Sequence, residues 1–436
     1  PAMSAATGMG PLVWRLSTLL SGVGLLVVGV GLLFSVLGLR AGVAEFSSIT
    51  LGLVTSAYFV GFVVGTYVCP AVIRRVGHIR AFAAMASLAS TMPILHALWV
   101  DPWFWGVLRL VTGMCLVGLY IVVESWLNAL APSEHRGKLF AVYMSVNFVA
   151  LAVGQWLILV GDRLGFVPFA LVSVMFSFAL LPITMTPVDE PEPVQAPRLS
   201  LRRLYEASPM GMAAALASGL ITGAFYGMGA LFAKGVGFSD AGVASFLAAA
   251  ILGGALFQWP VGHYSDSHDR RLVLFWVVAL AVVVAVLMSL LPAGRLLLGL
   301  IFIWGGLAFA IYPIAVAQLI DQLHSDEILA GSSSLLMVNG IGSVCGPLLA
   351  GLLMQHLGAQ ALPLYFAATL GLLAAYTLYR LRHVSDLVSA PAGHFMPMLR
   401  TSHTVLELMP DAPPTDDPDP TDSHEGPPNP APQTPG

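Results

Sequence analysis

Two ionisable side chains, Arg109 and Glu124, lie inside one long apolar stretch. Residues 103–128 contain no other charged side chain. An ionisable group in such a stretch is costly in hydrocarbon and by default marks a pathway for a substrate, an ion or a proton. On a helix, Arg109, Gly113, Tyr120 and Glu124 share one stripe, and the two charged residues lie about 22 Å apart. They cannot pair directly, and the stripe is expected to line a polar cavity.

Each of these residues also has a structural interpretation. Arg109 could instead bond main-chain carbonyls of the first apolar stretch, which has no acid for it. Glu124 could be an interfacial carboxylate paired with Arg74, Arg75 or Arg80. Its depth, about 9 Å from the polar loop, argues against that pairing, because a carboxylate in a low dielectric favours its neutral form and can exchange a proton.

Amide and aromatic side chains in other apolar stretches are weaker candidates for a substrate pathway. In lipid, such groups also form hydrogen bonds between helices, and that alternative stays open for each of them. They are Asn147, Gln155, Gln258, Gln318, Asn339, Tyr58, Tyr120, Tyr226, Trp304 and Tyr312.

Composition places the chain in a membrane. Apolar residues make up 57% of its 436 residues and charged residues only 10%, whereas soluble domains carry about 25% charged residues. The net charge of −4 gives no indication of a nucleic-acid partner. We find no catalytic or metal-ligand spacing of His, Cys, Asp or Ser, so we expect neither an enzyme nor a cofactor or metal.

Twelve apolar stretches are long enough to span a bilayer, which needs roughly 20 residues. This pattern predicts an all-α membrane protein of twelve transmembrane helices. The stretches are approximately 16–38, 49–73, 81–100, 103–128, 138–160, 166–186, 210–233, 241–263, 272–291, 296–320, 330–354 and 361–380.

The distribution of basic residues predicts the orientation, since cytoplasmic loops carry an excess of Lys and Arg. With the N-terminus inside, inner segments hold 14 of the 19 basic residues, outer loops hold four, and Arg109 lies within a span. Both termini are therefore predicted to be cytoplasmic.

The chain repeats itself with an offset near 192 residues. Gly113, Tyr120 and Gly154 match Gly305, Tyr312 and Gly346. This register predicts two pseudo-symmetric six-helix bundles, as in transporters with parallel repeats. We expect the bundles at 12–186 and 209–383, a cytoplasmic linker at 187–208, and a disordered, Pro- and Asp-rich cytoplasmic tail at 384–436.

Several motifs resemble those of the major facilitator superfamily of transporters. They are Arg109-x-x-x-Gly113-x-x-x-x-Gly118, the loop 130–138 with Arg136-Gly137-Lys138, Tyr264-Ser265-Asp266 with Arg270-Arg271, and Gly342-x-x-x-Gly346-Pro347. More narrowly, Val122-Val123-Glu124-Ser125 with Gly154-Gln155 resembles the bacterial YcaD-like branch. The resemblance implies twelve helices in a bacterial inner membrane.

The sequence departs from the superfamily pattern at two places. In the loop after the second span, Arg74 stands where an acid is expected and Pro70 replaces a glycine. The fifth span has Gly154-Gln155 where antiporters often have Gly-Pro, which weakens a simple assignment as a drug/proton antiporter.

The first departure suggests a different cytoplasmic gate. In the fold implied by the resemblance, the second and eleventh spans are neighbours. We predict that Arg74 and Arg75 face Asp321 and Asp326 across the two halves when the protein opens outward, and that Asp266 and Arg270 belong to the same gate. The alternative is that these charges only set the topology.

These observations predict a secondary transporter that moves a small organic solute by alternating access, with protons as the coupling ion and export slightly favoured. The expected partners are membrane lipid and the solute, and we expect a monomer. Proton-driven uptake of a small metabolite is the alternative. A non-transporting sensor would carry an added soluble domain, and an integral-membrane enzyme would need a catalytic cluster.

Overall fold

The computed structural model describes residues 9–130, 136–162, 165–184, 199–324 and 327–383, together with Phe395, Pro397 and Met398. Asp326 of the predicted gate, residues 187–198 of the linker and most of the tail lie outside the described residues.

The described chain folds into helices joined by short turns. They are α1 (Met9–Val43), α2 (Ser48–Val76), α3 (His78–Leu98), α4 (Pro102–Leu130), α5 (Arg136–Trp156) with a 3₁₀ turn at Leu157–Leu159, α6 (Val167–Thr184), α7 (Leu201–Ala207), α8 (Pro209–Gly235), α9 (Asp240–Ser267), α10 (Arg270–Ser289), α11 (Arg295–Ala308), α12 (Ile311–Ile320), α13 (Ile328–Leu357) and α14 (Ala361–His383).

The described part of the chain contains twelve helical segments that can span a membrane. Eleven are apolar helical segments of 20 residues or more, one of which joins α11 to α12 across a short break. The twelfth is α6, with 18 residues. A helix satisfies its own backbone hydrogen bonds, which is why an apolar chain can cross hydrocarbon in this form. The prediction of an all-α protein with twelve spans is confirmed.

The outward faces of the helices suit lipid. Trp259, Trp276 and Leu372 are 74%, 67% and 75% exposed. Large apolar side chains this exposed are uncommon on a soluble monomer but are expected where hydrocarbon is the solvent. The core between the spans is apolar as well, so the polar groups inside it are few and identifiable.

Glycines bring helix backbones into contact at equivalent places in the two halves. Gly61 on α2 lies against the Leu110 carbonyl of α4, and Gly113 on α4 lies against Tyr58 of α2. A Cβ on Gly113 would also lie 2.9 Å from the Phe62 nitrogen. Such approaches are possible only without a side chain.

The same crossing recurs 192 residues later. Gly253 on α9 lies against the Phe302 carbonyl, and Gly305 on α11 lies against Ala250. The glycines and the positions of their partners thus repeat in register, although the partner residues themselves differ. The predicted pseudo-symmetry of the two six-helix bundles is confirmed at the level of backbone contacts.

One span departs from the symmetry. Pro313 has no N–H to donate to the carbonyl of residue 309, and its ring clashes with that carbonyl, so the helix breaks between α11 and α12. The Phe309 carbonyl accepts instead from the Gln258 side-chain amide at 3.3 Å. The repeat mate of Pro313 is Ile121, and α4 runs unbroken through that position.

We predict that Gly113→Ala lowers the stability of the purified protein by about 1–3 kcal/mol, because the added methyl group overpacks the crossing of α2 and α4. The measurement is the melting temperature in detergent. Gly106→Ala on the same helix is the matched control, since a Cβ there has no heavy atom within 4 Å. Equal melting temperatures for the two variants would contradict the role of the crossing.

Candidate functional site

A cavity lies between the two repeats, near the middle of the spans. The space measures about 870 Å³, including the part open to solvent, and falls within the range of small-molecule sites. Its lining residues are Val27, Val30, Phe34, Tyr58, Phe59, Phe62, Tyr120, Asn147, Leu151, Ser218, Thr222, Tyr226, Phe309, Tyr312, Asn339, Ser343 and Met398.

Six residues that the sequence singled out line this cavity: Tyr58, Tyr120, Asn147, Tyr226, Tyr312 and Asn339. Tyr120 with Tyr312 and Asn147 with Asn339 form two pairs 192 residues apart. Asn147 donates to the Tyr143 carbonyl of its own helix at 2.8 Å, whereas Asn339 donates to the Ala215 carbonyl of α8 at 3.0 Å. Each asparagine is thus fixed by the main chain in one half of the protein.

Arg109 lies behind the cavity wall and is only 2% exposed. Its guanidinium carbon stands 4.2 Å from the Tyr58 ring centre and 4.9 Å from that of Phe34. A cation over an aromatic face is attracted by the ring quadrupole, most strongly where water is excluded. Arg109 therefore touches the cavity through two of its lining rings, and of its stripe Tyr120 is the member that lines the cavity in this arrangement of the described residues.

Glu124 is fully buried, and one of its oxygens accepts from the Tyr143 hydroxyl at 2.8 Å. This bond joins α4 to α5 beside the cavity. One turn earlier on α4, Tyr120 lines the cavity itself. Gly113, the remaining member of the stripe, serves the helix crossing instead.

Two further candidates lie outside the lining. Gln155 accepts a hydrogen bond from the Ser35 hydroxyl and donates to the Leu151 carbonyl at 3.3 Å, so it ties α5 to α1. Trp304 stacks on Phe366 with ring centres 4.3 Å apart. Both side chains form contacts between helices, which is the alternative to a substrate pathway that the sequence left open.

We call the end of the bundle near Val76 and Ser267 the linker end, and the end near Ser48 and Gln355 the far end. At the linker end, Arg270 is 3% exposed and binds Asp321 at 2.7 Å and Asp266 at 3.2 Å. All three residues belong to the C-terminal half.

The predicted pairing of Asp321 with Arg74 is absent from this arrangement of the described residues. Arg74 and Arg75 are exposed, while Arg270 binds Asp321. Glu327 of the same segment binds Arg203 of α7 at 3.0 Å, and that hydrogen bond lowers the pKa of Glu327. The gate was proposed for the outward-open state, and for that state it stays a prediction.

At the far end the two halves are in direct contact. The Ser48 N–H donates to Gln355 at 3.1 Å, and the Ser56 hydroxyl donates to the Val344 carbonyl at 2.6 Å. On the other side of the bundle, the Trp156 indole donates to Ser245 at 3.3 Å. These contacts between α2 and α13 and between α5 and α9 close the cavity on that side.

Residues from the C-terminal tail lie at the linker-end mouth of the cavity. The Phe395 N–H donates to Asp266 at 2.7 Å, and the Met398 carbonyl accepts from Gln258 at 3.3 Å. Phe395 and Met398 are 8% and 4% exposed, and Met398 lines the cavity. Both residues fall in the predicted disordered tail at 384–436, in which the sequence indicated no site residue.

Phe34, Thr222 and Ser343 of the wall were the other omission. Phe34 was missed because nothing marks it among other apolar residues, although its register mate is Tyr226. Thr222 and Ser343 were missed because such hydroxyls are common in membrane helices. The offset of 192 was the available signal, since it pairs each of them with a residue of the opposite wall.

Comparison with known proteins supports a transporter family. The family model of the Major Facilitator Superfamily matches residues 16–336 and 252–408. The MFS-type transporter YcaD of Salmonella arizonae is 28% identical over 80% of this chain and 91% of its own length.

Solved structures of transporters share the fold. The nucleoside transporter NupG superposes with a TM-score of 0.70 at 14% identity, over 85% of this chain and 99% of that one. A bacterial homologue of the human lysosomal transporter Spinster, in an inward-facing and occupied conformation, superposes with a TM-score of 0.70 at 15% identity, over 84% and 96%.

We predict that Asp321→Asn destabilises the protein by about 3 kcal/mol, because it removes the negative charge that binds the buried Arg270 at 2.7 Å. The melting temperature in detergent measures this loss. Glu206→Gln is the control, since its pair with Arg202 is exposed on both sides and is expected to contribute nothing measurable. An unchanged melting temperature for Asp321→Asn would show that the buried pair does not hold the linker end.

Proposed function

This chain belongs to the major facilitator superfamily of membrane transporters, and from that premise we propose that it moves a small organic solute across the membrane by alternating access, coupled to a proton and in the direction of export. The observation that carries the proposal is the cavity between the repeats, which has walls from both halves and is closed at the far end. A site between two rocking halves can open to one side at a time.

The arrangement of contacts supports an inward-facing state. The basic residues concentrate at the linker end, so by the positive-inside rule that end faces the cytoplasm. The far end, where the halves are in contact, then faces outward. A solute would enter from the cytoplasm and leave after the halves rock, which agrees with export. The glycine-proline pair Gly346-Pro347 on α13 resembles the antiporter motif and favours the same direction.

Glu124 is the residue proposed to carry the proton. It is a buried carboxylate, and its hydrogen bond with Tyr143 connects two helices that both contribute to the cavity wall. In a low-dielectric surrounding a carboxylate changes its charge only together with its environment. Gaining or losing a proton at Glu124 therefore changes the contact between α4 and α5.

The test uses proteoliposomes loaded with labelled adenosine or uridine, since a transporter of similar fold is named for nucleosides. We expect efflux above that of protein-free vesicles, and acceleration when the outside is made acidic. With one proton per solute, a gradient of about one pH unit supplies about 1.4 kcal/mol, a roughly tenfold ratio at equilibrium.

In Glu124→Gln we expect efflux to persist and its response to the pH gradient to disappear, because the amide cannot exchange the proton. Glu206→Gln, an exposed carboxylate, should respond like the unmodified protein. A surviving gradient response in Glu124→Gln removes the proton role from that residue. Efflux no faster than from protein-free vesicles contradicts transport of these solutes.

A further inference from the structure

The cavity is lined by uncharged residues. Within the described structure, its wall contains no Asp, Glu, Lys, Arg or His. An ion that leaves water for such a site loses several kcal/mol of hydration without a counter-charge to compensate it. Uncharged solutes avoid this cost.

The buried arginine behind the wall makes a cation the least suitable ligand. Aromatic rings attract organic cations through their faces, and the cavity has many rings. Arg109 already occupies one such position, 4.2 Å from Tyr58 and 4.9 Å from Phe34. Its fixed positive charge repels a second cation from the opposite side of the same rings.

The two walls of the cavity differ in polarity at equivalent positions. Five register pairs line it, each 192 residues apart: Val30 with Thr222, Phe34 with Tyr226, Tyr120 with Tyr312, Asn147 with Asn339, and Leu151 with Ser343. At three of the five pairs the N-terminal member is apolar and the C-terminal member carries a hydroxyl. The N-terminal wall is therefore the more apolar of the two, with Tyr58, Tyr120 and Asn147 as its polar members, and the C-terminal wall carries more hydrogen-bonding groups.

The hydroxyl groups of the polar wall also indicate the kind of hydrogen bond. Thr222 donates its own hydrogen to the Ser218 carbonyl at 2.7 Å, and Ser343 donates to the Asn339 carbonyl at 3.0 Å. A hydroxyl that has donated its hydrogen can still accept one. A solute that carries O–H or N–H donors fits this wall.

Resting on the transport function proposed above, the geometry points to an uncharged amphipathic solute with a flat ring, held with the ring against the Phe34 and Tyr58 side and its O–H or N–H groups toward Thr222 and Ser343. The Phe34 and Tyr226 rings pack against each other at 5.3 Å, and Tyr226 stacks on Phe309 at 6.1 Å, so aromatic side chains of both halves form a continuous part of the lining.

Three indole compounds that differ in charge test this inference: indole-3-ethanol, which is neutral, tryptamine, which is a cation, and indole-3-acetate, which is an anion. Binding to the purified full chain is measured by calorimetry. We expect indole-3-ethanol to bind about tenfold or more tightly than either charged compound. Equal or tighter binding of a charged compound, or no binding of any of the three, overturns the inference.

Variants test the orientation. Thr222→Val and Ser343→Leu each replace a hydroxyl-bearing residue with the apolar residue found 192 positions earlier, Val30 and Leu151. Each substitution should weaken indole-3-ethanol binding severalfold. Thr91→Val, on an exposed position of α3, is the control outside the cavity. Unchanged affinity in both cavity variants overturns the orientation. Binding without gradient-driven efflux would reject the transport proposal alone, whereas efflux of a charged compound without indole-3-ethanol binding would reject this inference alone.

A second observation, the tail at the cavity mouth, carries an independent inference. Phe395 lies on Gly262 of α9, where a Cβ would come within 2.6 Å of its ring. Main-chain groups of Phe395 and Met398 bind Asp266 and Gln258. Gln258 also bonds the Phe309 carbonyl released by the break between α11 and α12, so the tail binds next to that break.

We propose that Phe395 and Met398 form a plug, which closes the linker-end mouth and competes with the solute through Met398. The full chain with both Phe395→Ala and Met398→Ala should bind indole-3-ethanol more tightly, by about threefold or more, because the plug without its two side chains is displaced more easily. Leu372→Ala on the lipid face is the control. Unchanged or weaker binding overturns the plug.

A measurement without ligand keeps the plug testable by itself. The background is a chain in which the exposed Cys345 is replaced by Ser. In it, Met398→Cys should react with a water-soluble maleimide at least about tenfold more slowly than Glu206→Cys, an exposed reference position. Slow reaction is expected because a plugged site opens only transiently. Equal reaction rates overturn the plug, whatever the outcome with the indole compounds.

Discussion

The contact of main chain with main chain at the helix crossings determines most of this structure. Lipid tails are as apolar as leucine, so helices in a bilayer gain little from burying apolar side chains against each other. Close approach then depends on small residues, and here Gly61 and Gly113 put α2 and α4 in direct contact. That contact fixes the rotation of α4 about its axis. As a result Tyr120 faces the cavity, while Arg109 lies behind Phe34 and Tyr58.

The C-terminal half differs from the N-terminal half at positions in and beside the cavity. Pro313 breaks a span that its mate Ile121 leaves continuous. The break exposes the Phe309 carbonyl to Gln258, and Gln258 in turn holds the tail at Met398. Thr222, Tyr226 and Ser343 stand where the first half has apolar residues, so hydrogen-bonding groups are concentrated in the C-terminal wall. The symmetric helices therefore form the cavity, and the departures from symmetry make its two walls and its linker-end mouth different.

The sequence was sufficient for the features that depend on period and composition. Apolar length predicted the spans, and the offset near 192 predicted the repeat and placed Tyr120 opposite Tyr312. A helical wheel could not locate Arg109, because it shows which side of α4 a residue occupies but not which neighbouring helix covers that side. Phe34 has no sequence signal of its own. Asp321 could not be assigned a partner from sequence, because Arg270 and Arg74 are both plausible by charge and only the folded chain shows Arg270 binding it.

An uncharged cavity beside a buried carboxylate constrains how a proton could drive a solute. Glu124 does not line the cavity, so charge on it cannot bind a solute directly. It does hold Tyr143 of α5, whose carbonyl positions Asn147 in the cavity wall. It also lies one turn from Tyr120, the lining residue of α4. A change of protonation at Glu124 alters the bond between α4 and α5, and with it the spacing of two lining residues. Coupling in this protein would then be mechanical, carried by the packing of two helices rather than by a shared charge.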